Sequence, residues 1–200
     1  MSRSTEEKAV FCPMEDRLCR ALHQQVDDEA LGQCLLLFSP ELHQLTGLSV
    51  YKDALASREK TTVALPTASF PDQQDWPWLT PLDTTKAADS HLLNLSAQAG
   101  LEELDPELIK RGRGRRQSGW LVSKQSPKAI SAHLSGLLIQ RDPHGQRAFL
   151  RLTDPAVLWA IWPLLTTSQQ AHLLGPIQAW WLLDPAGNLV KLTASSGTQR

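Results

Sequence analysis

The sequence predicts a single α/β domain in which helices flank a mixed β-sheet and a C-terminal β-hairpin ends the fold. Strand-like and helix-like segments alternate over about 150 residues, which is the pattern of a sheet covered by helices. The turn signal DPAG separates two apolar runs near the C-terminus and favours a hairpin there. A length of 200 residues suits one domain with its own core.

The first elements predicted are a helix, a strand, a short helix and a second strand. Apolar residues recur at four-residue steps and place one stripe on a helix over residues 16–31. These residues are Leu18, Leu22, Val26 and Ala30. The run CLLLF, ended by SPE, is typical of a buried strand. Residues 51–58 predict a short helix, and TTVAL at 61–65 predicts a strand.

A proline-rich loop, a strand and a divided helix are predicted next. Four prolines fall in residues 66–81, and because proline lacks an amide hydrogen this stretch fits neither a helix nor a central strand. The segment HLLNLS at 91–96 predicts a strand. LEELDPELIK at 101–110 predicts a helix that Pro106 divides or restarts.

Paired cap and proline residues mark two later helix starts. GWLVSK predicts a strand, after which Ser126 and Pro127 begin an amphipathic helix. RAFLRLT at 147–153 predicts the next strand. Asp154 and Pro155 form a second cap-and-proline pair and begin a helix that Pro163 ends.

A further short helix and the hairpin complete the predicted fold. Thr167 or Ser168 caps this helix, and Gly175 closes it in the left-handed conformation just before Pro176. We divide the chain into an N-terminal extension with a helix, the α/β domain and a disordered tail, at residues 1–32, 33–193 and 194–200.

Composition and charge exclude several classes of protein. The formal net charge is −1, so no overall field recruits nucleic acid or an anionic membrane. The three cysteines lack the spacing of a disulfide framework, and the N-terminus lacks the apolar core of a signal peptide. The longest apolar run covers about half a membrane span. We therefore expect a cytoplasmic protein without membrane insertion.

None of the common catalytic or metal-binding motifs is complete. The chain has no G-x-S-x-G turn, no H-E-x-x-H and no C-x-x-C. Residues 114–119 have the glycine spacing of a phosphate loop, but Trp120 stands where a lysine must reach the phosphates. Cys12, Cys19 and His23 fit no common zinc spacing. The sequence predicts no catalytic, cofactor-binding or metal-binding residue, and hence a protein that is not an enzyme.

Residues 110–116, KRGRGRR, form the strongest local charge feature. Such a segment can contact a phosphate backbone, and its glycines allow it to mould to RNA. The alternative is a solvated connector between a helix and a strand, and the slightly acidic remainder of the chain favours this alternative. The candidate partner-binding residues here are Arg111, Arg113, Arg115 and Arg116.

The seven tryptophans either fill a core or form part of a partner-binding surface. Trp76 and Trp78 flank a proline in the stretch at 71–81 and are candidate partner-binding residues on a stiff backbone. The alternative is that both rings cover an edge of the core. Trp180 and Trp181 are adjacent on a strand, so their side chains point to opposite faces of the sheet.

The order of motifs in residues 90–193 resembles the adaptor, or effector-chaperone, family of the bacterial type VI secretion system. Members carry a glycine–tryptophan strand, an amphipathic helix, a strand with arginine and Asp-Pro, and a glycine–proline before a tryptophan strand. The matching positions here are Gly119, Trp120, Arg151, Asp154, Pro155, Gly175, Pro176 and Trp180. In this resemblance they are scaffold residues. Asp154 caps a helix, and we expect the Arg151 guanidinium to tie down a carboxylate or loop carbonyls.

The resemblance implies a non-enzymatic adaptor that binds a toxic effector in the cytoplasm and assists its loading onto the VgrG spike, the valine–glycine repeat protein. Its partners would then be the effector and the spike, and it would need no cofactor. Two rival hypotheses remain: an immunity-like protein that neutralises a toxin without engaging the spike, and a small RNA-binding protein that uses residues 110–116.

Overall fold

The computed structural model describes residues 13–28, 32–39, 49–64, 76–111, 117–141 and 144–193. The strands are β1 (Gln33–Phe38), β2 (Thr61–Thr62), β3 (Trp78–Leu82), β4 (Gln117–Ser123), β5 (Ile139–Arg141), β6 (Arg147–Phe149), β7 (Ala179–Leu183) and β8 (Leu189–Leu192). The helices are α1 (Pro13–Asp28), α2 (Ser49–Ala56), α3 (Ala87–Glu102), α4 (Pro106–Lys110), α5 (Pro127–Leu137), α6 (Pro155–Ile161), a 3-10 helix (Trp162–Leu164) and α7 (Thr167–Leu174).

Six strands form one sheet in the order β2-β3-β1-β4-β7-β8. The α/β class and the C-terminal hairpin of β7 and β8 are confirmed. Every described strand pair is antiparallel, where the sequence pattern predicted a mixed sheet. The reason lies in the connections: the long helical excursion from β4 to β7 returns the chain to the end of the sheet that it left.

Both faces of the sheet are buried, so the fold has three layers. On β1, Cys34, Leu36 and Phe38 point into a first core, which α1, α2 and α3 cover. The alternate residues Leu35 and Leu37 point into a second core, which α5, α6 and α7 cover. A strand buried on both faces shows a continuous apolar run rather than alternation, which is why CLLLF was recognisable.

The segment at 91–96, predicted as a strand, lies inside the long helix α3. Buried positions recur along this helix at steps of three and four residues, but several hold small or polar side chains. Asp89 forms an ion pair with Arg58. Ser96 accepts a hydrogen bond from Trp120, and Gly100 packs against Leu183. Because these residues occupy core positions, the hydrophobic pattern hides the helical period.

The prediction of a loop over residues 66–81 is wrong at its end, where β3 lies between β2 and β1. Pro81 pairs with Leu35 of β1. In the described part of the chain, β2 pairs only with Trp78 and Leu79. Pro81 therefore has no β2 residue opposite it on the outer side, which is where a strand tolerates proline. Residues 66–75 lie outside the described ranges.

The strand predicted at 147–153 is shorter in the structure, and it lies outside the six-stranded sheet. Only β6 is extended, and it pairs with β5 in a separate two-stranded ribbon whose β6 residues are all exposed. After β6 the backbone turns, and Leu152 enters the second core at 2% exposure. The chain thus leaves the ribbon for the second core within three residues of the end of β6.

The helix α5 has the predicted capping residue, whereas the cap of α7 lies one residue before the predicted position. Ser126 caps α5 by accepting a hydrogen bond from the Ala129 amide, with Pro127 at the first helical position. The helix expected from Thr167 or Ser168 is capped one residue earlier, by Thr166 in a capping box with a glutamine.

Candidate functional site

Gly119 and Trp120 hold β4 against its neighbours. Gly119 has a φ of 118°, and a Cβ there would overlap the carbonyl oxygen of Trp181 on β7. Only glycine adopts this backbone without strain. Trp120 is buried, and its indole N–H donates a hydrogen bond of 2.7 Å to Ser96 Oγ on α3. Gly119 thus allows β4 to lie close to β7, and Trp120 connects β4 to α3.

Asp154 caps α6, as predicted. Its carboxylate accepts a hydrogen bond of 3.0 Å from the Ala156 amide, and Pro155 occupies the first helical position. The expected tether of Arg151 is not found: its side chain is exposed and contacts no carboxylate or carbonyl within the described ranges. The Arg151 carbonyl instead accepts a hydrogen bond from the Asp154 amide at 3.1 Å. Arg151 therefore contributes through its backbone.

Gly175 closes α7 with a φ of 52°. The imidazole of His133 on α5 fills the space that a Cβ at Gly175 would need. His133 Nε2 donates a hydrogen bond of 3.0 Å to the Leu173 carbonyl oxygen. The glycine thus lets α5 pack directly on the end of α7.

Pro176 and Trp180 complete the scaffold. The Pro176 carbonyl accepts a hydrogen bond of 2.8 Å from Ser123 Oγ at the end of β4. The Trp180 indole donates one of 3.1 Å to the Ser118 carbonyl. Trp180 lies in the second core and Trp181 in the first, so the opposite orientation of the two rings is confirmed.

Trp76 and Trp78 also lie on opposite sides of the sheet. Trp76 is 8% exposed in the second core, and Trp78 packs against the first. The Trp78 ring meets Phe38 edge to face at 5.4 Å, and Lys60 Nζ lies 4.4 Å from a Trp78 ring centroid. These contacts favour the interpretation in which both rings cover the core. Their direct contact with a partner stays a prediction.

Of the four candidate arginines, Arg111 is exposed at the C-terminus of α4. The others lie outside the described residues: Arg113, Arg115 and Arg116. The segment leads into β4 at a buried anchor, where the Gln117 amide donates a hydrogen bond of 2.7 Å to the Glu103 carboxylate. The structure therefore fixes the two ends of this segment and leaves its partner a prediction.

An exposed apolar surface lies on α6 and the 3-10 helix, which we call the ridge: Trp159, Ala160, Pro163 and Leu164. Trp159 is 40% and Leu164 80% exposed, whereas Leu158 on the inner side of α6 is fully buried in the second core. Residues four apart on a helix share a face, so the ridge is one continuous surface. The helix is therefore apolar on both its inner and outer sides.

The ridge sits in a region without formal charge. Residues 155–183 contain no Asp, Glu, Lys or Arg. The exposed positions of α7, beside the ridge in the chain, carry neutral polar groups, one alanine and one histidine. The buried centres of protein interfaces are depleted of charge and enriched in tryptophan. The absence of charge was readable in the sequence, but the exposure of Trp159 and Leu164 was not.

The described cysteines are poor nucleophiles. Burial raises the pKa of the Cys34 thiol to about 12. Burial, together with the charges of Glu15 and Asp16, raises the pKa of Cys19. No cluster of three or more potential metal ligands occurs in the ranges that the structure describes. Nor does any helix there have the length and apolarity to cross a membrane.

The family model of the domain of unknown function DUF4123 matches residues 51–172. The chain therefore belongs to the DUF4123 family, which is associated with adaptors of type VI secretion effectors. The match starts and ends earlier than the expected range of 90–193. It includes the ridge and Asp154, whereas Gly175, Pro176 and Trp180 lie beyond it. No curated protein and no solved structure matches the chain.

Proposed function

We propose that this protein is a non-enzymatic adaptor that holds a type VI secretion effector in the cytoplasm and assists its loading onto the VgrG spike. The observation that carries the proposal is the DUF4123 match, which spans three of the six strands of the main sheet and helices on both of its faces. An adaptor works by recognition, so it needs exposed apolar anchors on a rigid scaffold rather than activated side chains.

The ridge supplies such anchors, and we assign it to the effector. Trp159 and Leu164 present large apolar surfaces, and no charged group of residues 155–183 has to be desolvated when a partner covers them. The Asp154 cap and the burial of Leu158 hold the ridge in place before binding. A preformed surface loses little conformational entropy when it docks.

Co-purification from the native bacterium tests this assignment. The tagged protein is isolated at moderate salt with nuclease present, and bound proteins are quantified by mass spectrometry. The variant Leu164→Asp places a charge on the ridge, and Val50→Asp is the matched control because Val50 is also an exposed aliphatic residue, at 60%, on α2. We expect wild type and control to recover an effector and the spike, and Leu164→Asp to recover about tenfold less effector.

The other outcomes separate the rivals. A toxin recovered without the spike supports the immunity-like function. Partners that depend on RNA, and that are lost steeply with salt, support RNA binding through residues 110–116. Equal effector recovery with Leu164→Asp and wild type contradicts the role of the ridge.

A further inference from the structure

In the layer that covers the first core, whereas the ridge belongs to the layer on the second, a groove lies between α1, the α3–α4 junction and the turn of the β7–β8 hairpin. It has two compartments, of about 400 Å³ and about 660 Å³, that both border Met14 and Gly187. The apolar residues of the first compartment include Leu101, Leu104 and Leu108. Those of the second include Leu18, Ala21 and Leu189. The groove is therefore lined by apolar side chains in both of its compartments.

The floor of the groove is adaptable. Met14, at the boundary of the two compartments, is 51% exposed although it is a large apolar residue. Gly187 has a φ of 84°, and a Cβ there would approach Leu101 to 3.2 Å. The missing side chain leaves the trough open between the leucine and the methionine. Methionine is flexible and polarisable, and it is common at surfaces that repack around a partner.

The rim of the first compartment is acidic. Glu102 and Asp105 line it, and no Lys or Arg of the described chain does. Burial and the nearby charge of Glu15 raise the pKa of Glu102, so the negative charge of this carboxylate is disfavoured where it stands. Arg17 lines only the second compartment. A cation entering the first compartment would be attracted by Glu102 and Asp105 and would favour the charged form of Glu102.

We propose that the groove docks a basic segment of a partner protein, with an apolar side chain seated against Met14 and a Lys or Arg facing Glu102 and Asp105. The biological meaning of this second surface rests on the proposed adaptor role, because an adaptor must hold two partners. The two surfaces differ in chemistry: the ridge is uncharged, and the groove is apolar with an acidic rim at its first compartment. Each surface therefore selects a different partner.

Selection from a random peptide display library on the immobilised full-length protein tests the proposal. The selected sequences should combine Lys or Arg with a large apolar residue. An enriched peptide is then synthesised and its Kd is measured by fluorescence anisotropy. We expect Glu102→Lys to weaken binding about tenfold and Met14→Ser to weaken it by a similar factor. Glu59→Lys, the same charge reversal at another exposed glutamate, should leave Kd unchanged.

Three results would overturn the proposal. They are no enrichment over a surface without protein, enrichment of acidic or uncharged peptides, and an equal loss of affinity in Glu102→Lys and Glu59→Lys. The circular dichroism of each variant is recorded so that a folding defect is recognised. The selection does not depend on the native partners, so its failure and the failure of effector co-purification are separate results.

Discussion

At the scale of the residue, a few side chains without chemical reactivity decide the scaffold. Gly119 and Gly175 each adopt a positive φ where another residue occupies the space of a Cβ. The buried indole of Trp120 is satisfied by Ser96, and that of Trp180 by a backbone carbonyl. Burial without such partners costs about 1–3 kcal/mol per group. Each of these positions therefore has a structural role in this fold.

Gly119→Ala tests this reasoning. The positive φ alone costs a non-glycine residue about 1–3 kcal/mol, and overlap with the Trp181 carbonyl adds to it. We expect a marked fall in the free energy of unfolding, measured by urea denaturation. Gly136→Ala is the matched control: no atom lies within 4 Å of a Cβ there, and the change should stabilise α5 by about 0.5–1 kcal/mol. Equal stability of both variants would contradict the account.

At the scale of the element, caps and turns position the surfaces. The Asp154 cap starts α6, whose inner side enters the second core and whose outer side forms the ridge. The β7–β8 turn places Gly187 beneath Met14 in the groove. The ridge therefore depends on the cap of α6, and the groove depends on the turn of the β7–β8 hairpin.

Asp154→Ala removes the α6 cap. The expected cost is about 0.5–2 kcal/mol in the free energy of unfolding, because the amide hydrogen bond to the carboxylate is lost. Thermal denaturation measures it, with Asp53→Ala, at an exposed aspartate of α2, as the control. A melting temperature that falls no further in Asp154→Ala than in the control would exclude the capping role.

The sequence predicted those helix starts that neighbouring residues in the chain determine. Ser126 and Asp154 act as caps because a short polar side chain before proline has few alternatives. The helix α3 could not be predicted, because Asp89 and Ser96 hold core positions only through distant partners. The ridge and the groove were missed for a related reason: the exposure of Trp159 and Met14 depends on tertiary packing, which periodicity does not report.

At the scale of the whole molecule, the three-layer fold separates two surfaces. The ridge belongs to the layer on the second core, and the groove is bordered by α1 and α3 of the layer on the first core. The central strands of the sheet between them are buried on both faces and close-packed against both helical layers. This arrangement allows one chain to hold two partners without competition, which is what the proposed adaptor role requires.

The most direct test is the secretion of the effector in the native bacterium. The gene for this protein is deleted, and the effector and the spike are quantified in the secreted fraction by mass spectrometry. If the protein is an adaptor, the effector that co-purifies with it disappears from the secreted fraction while the spike remains. Wild type and Val50→Asp restore its secretion, and Leu164→Asp does not. Unchanged effector secretion in the deletion strain would contradict the adaptor function.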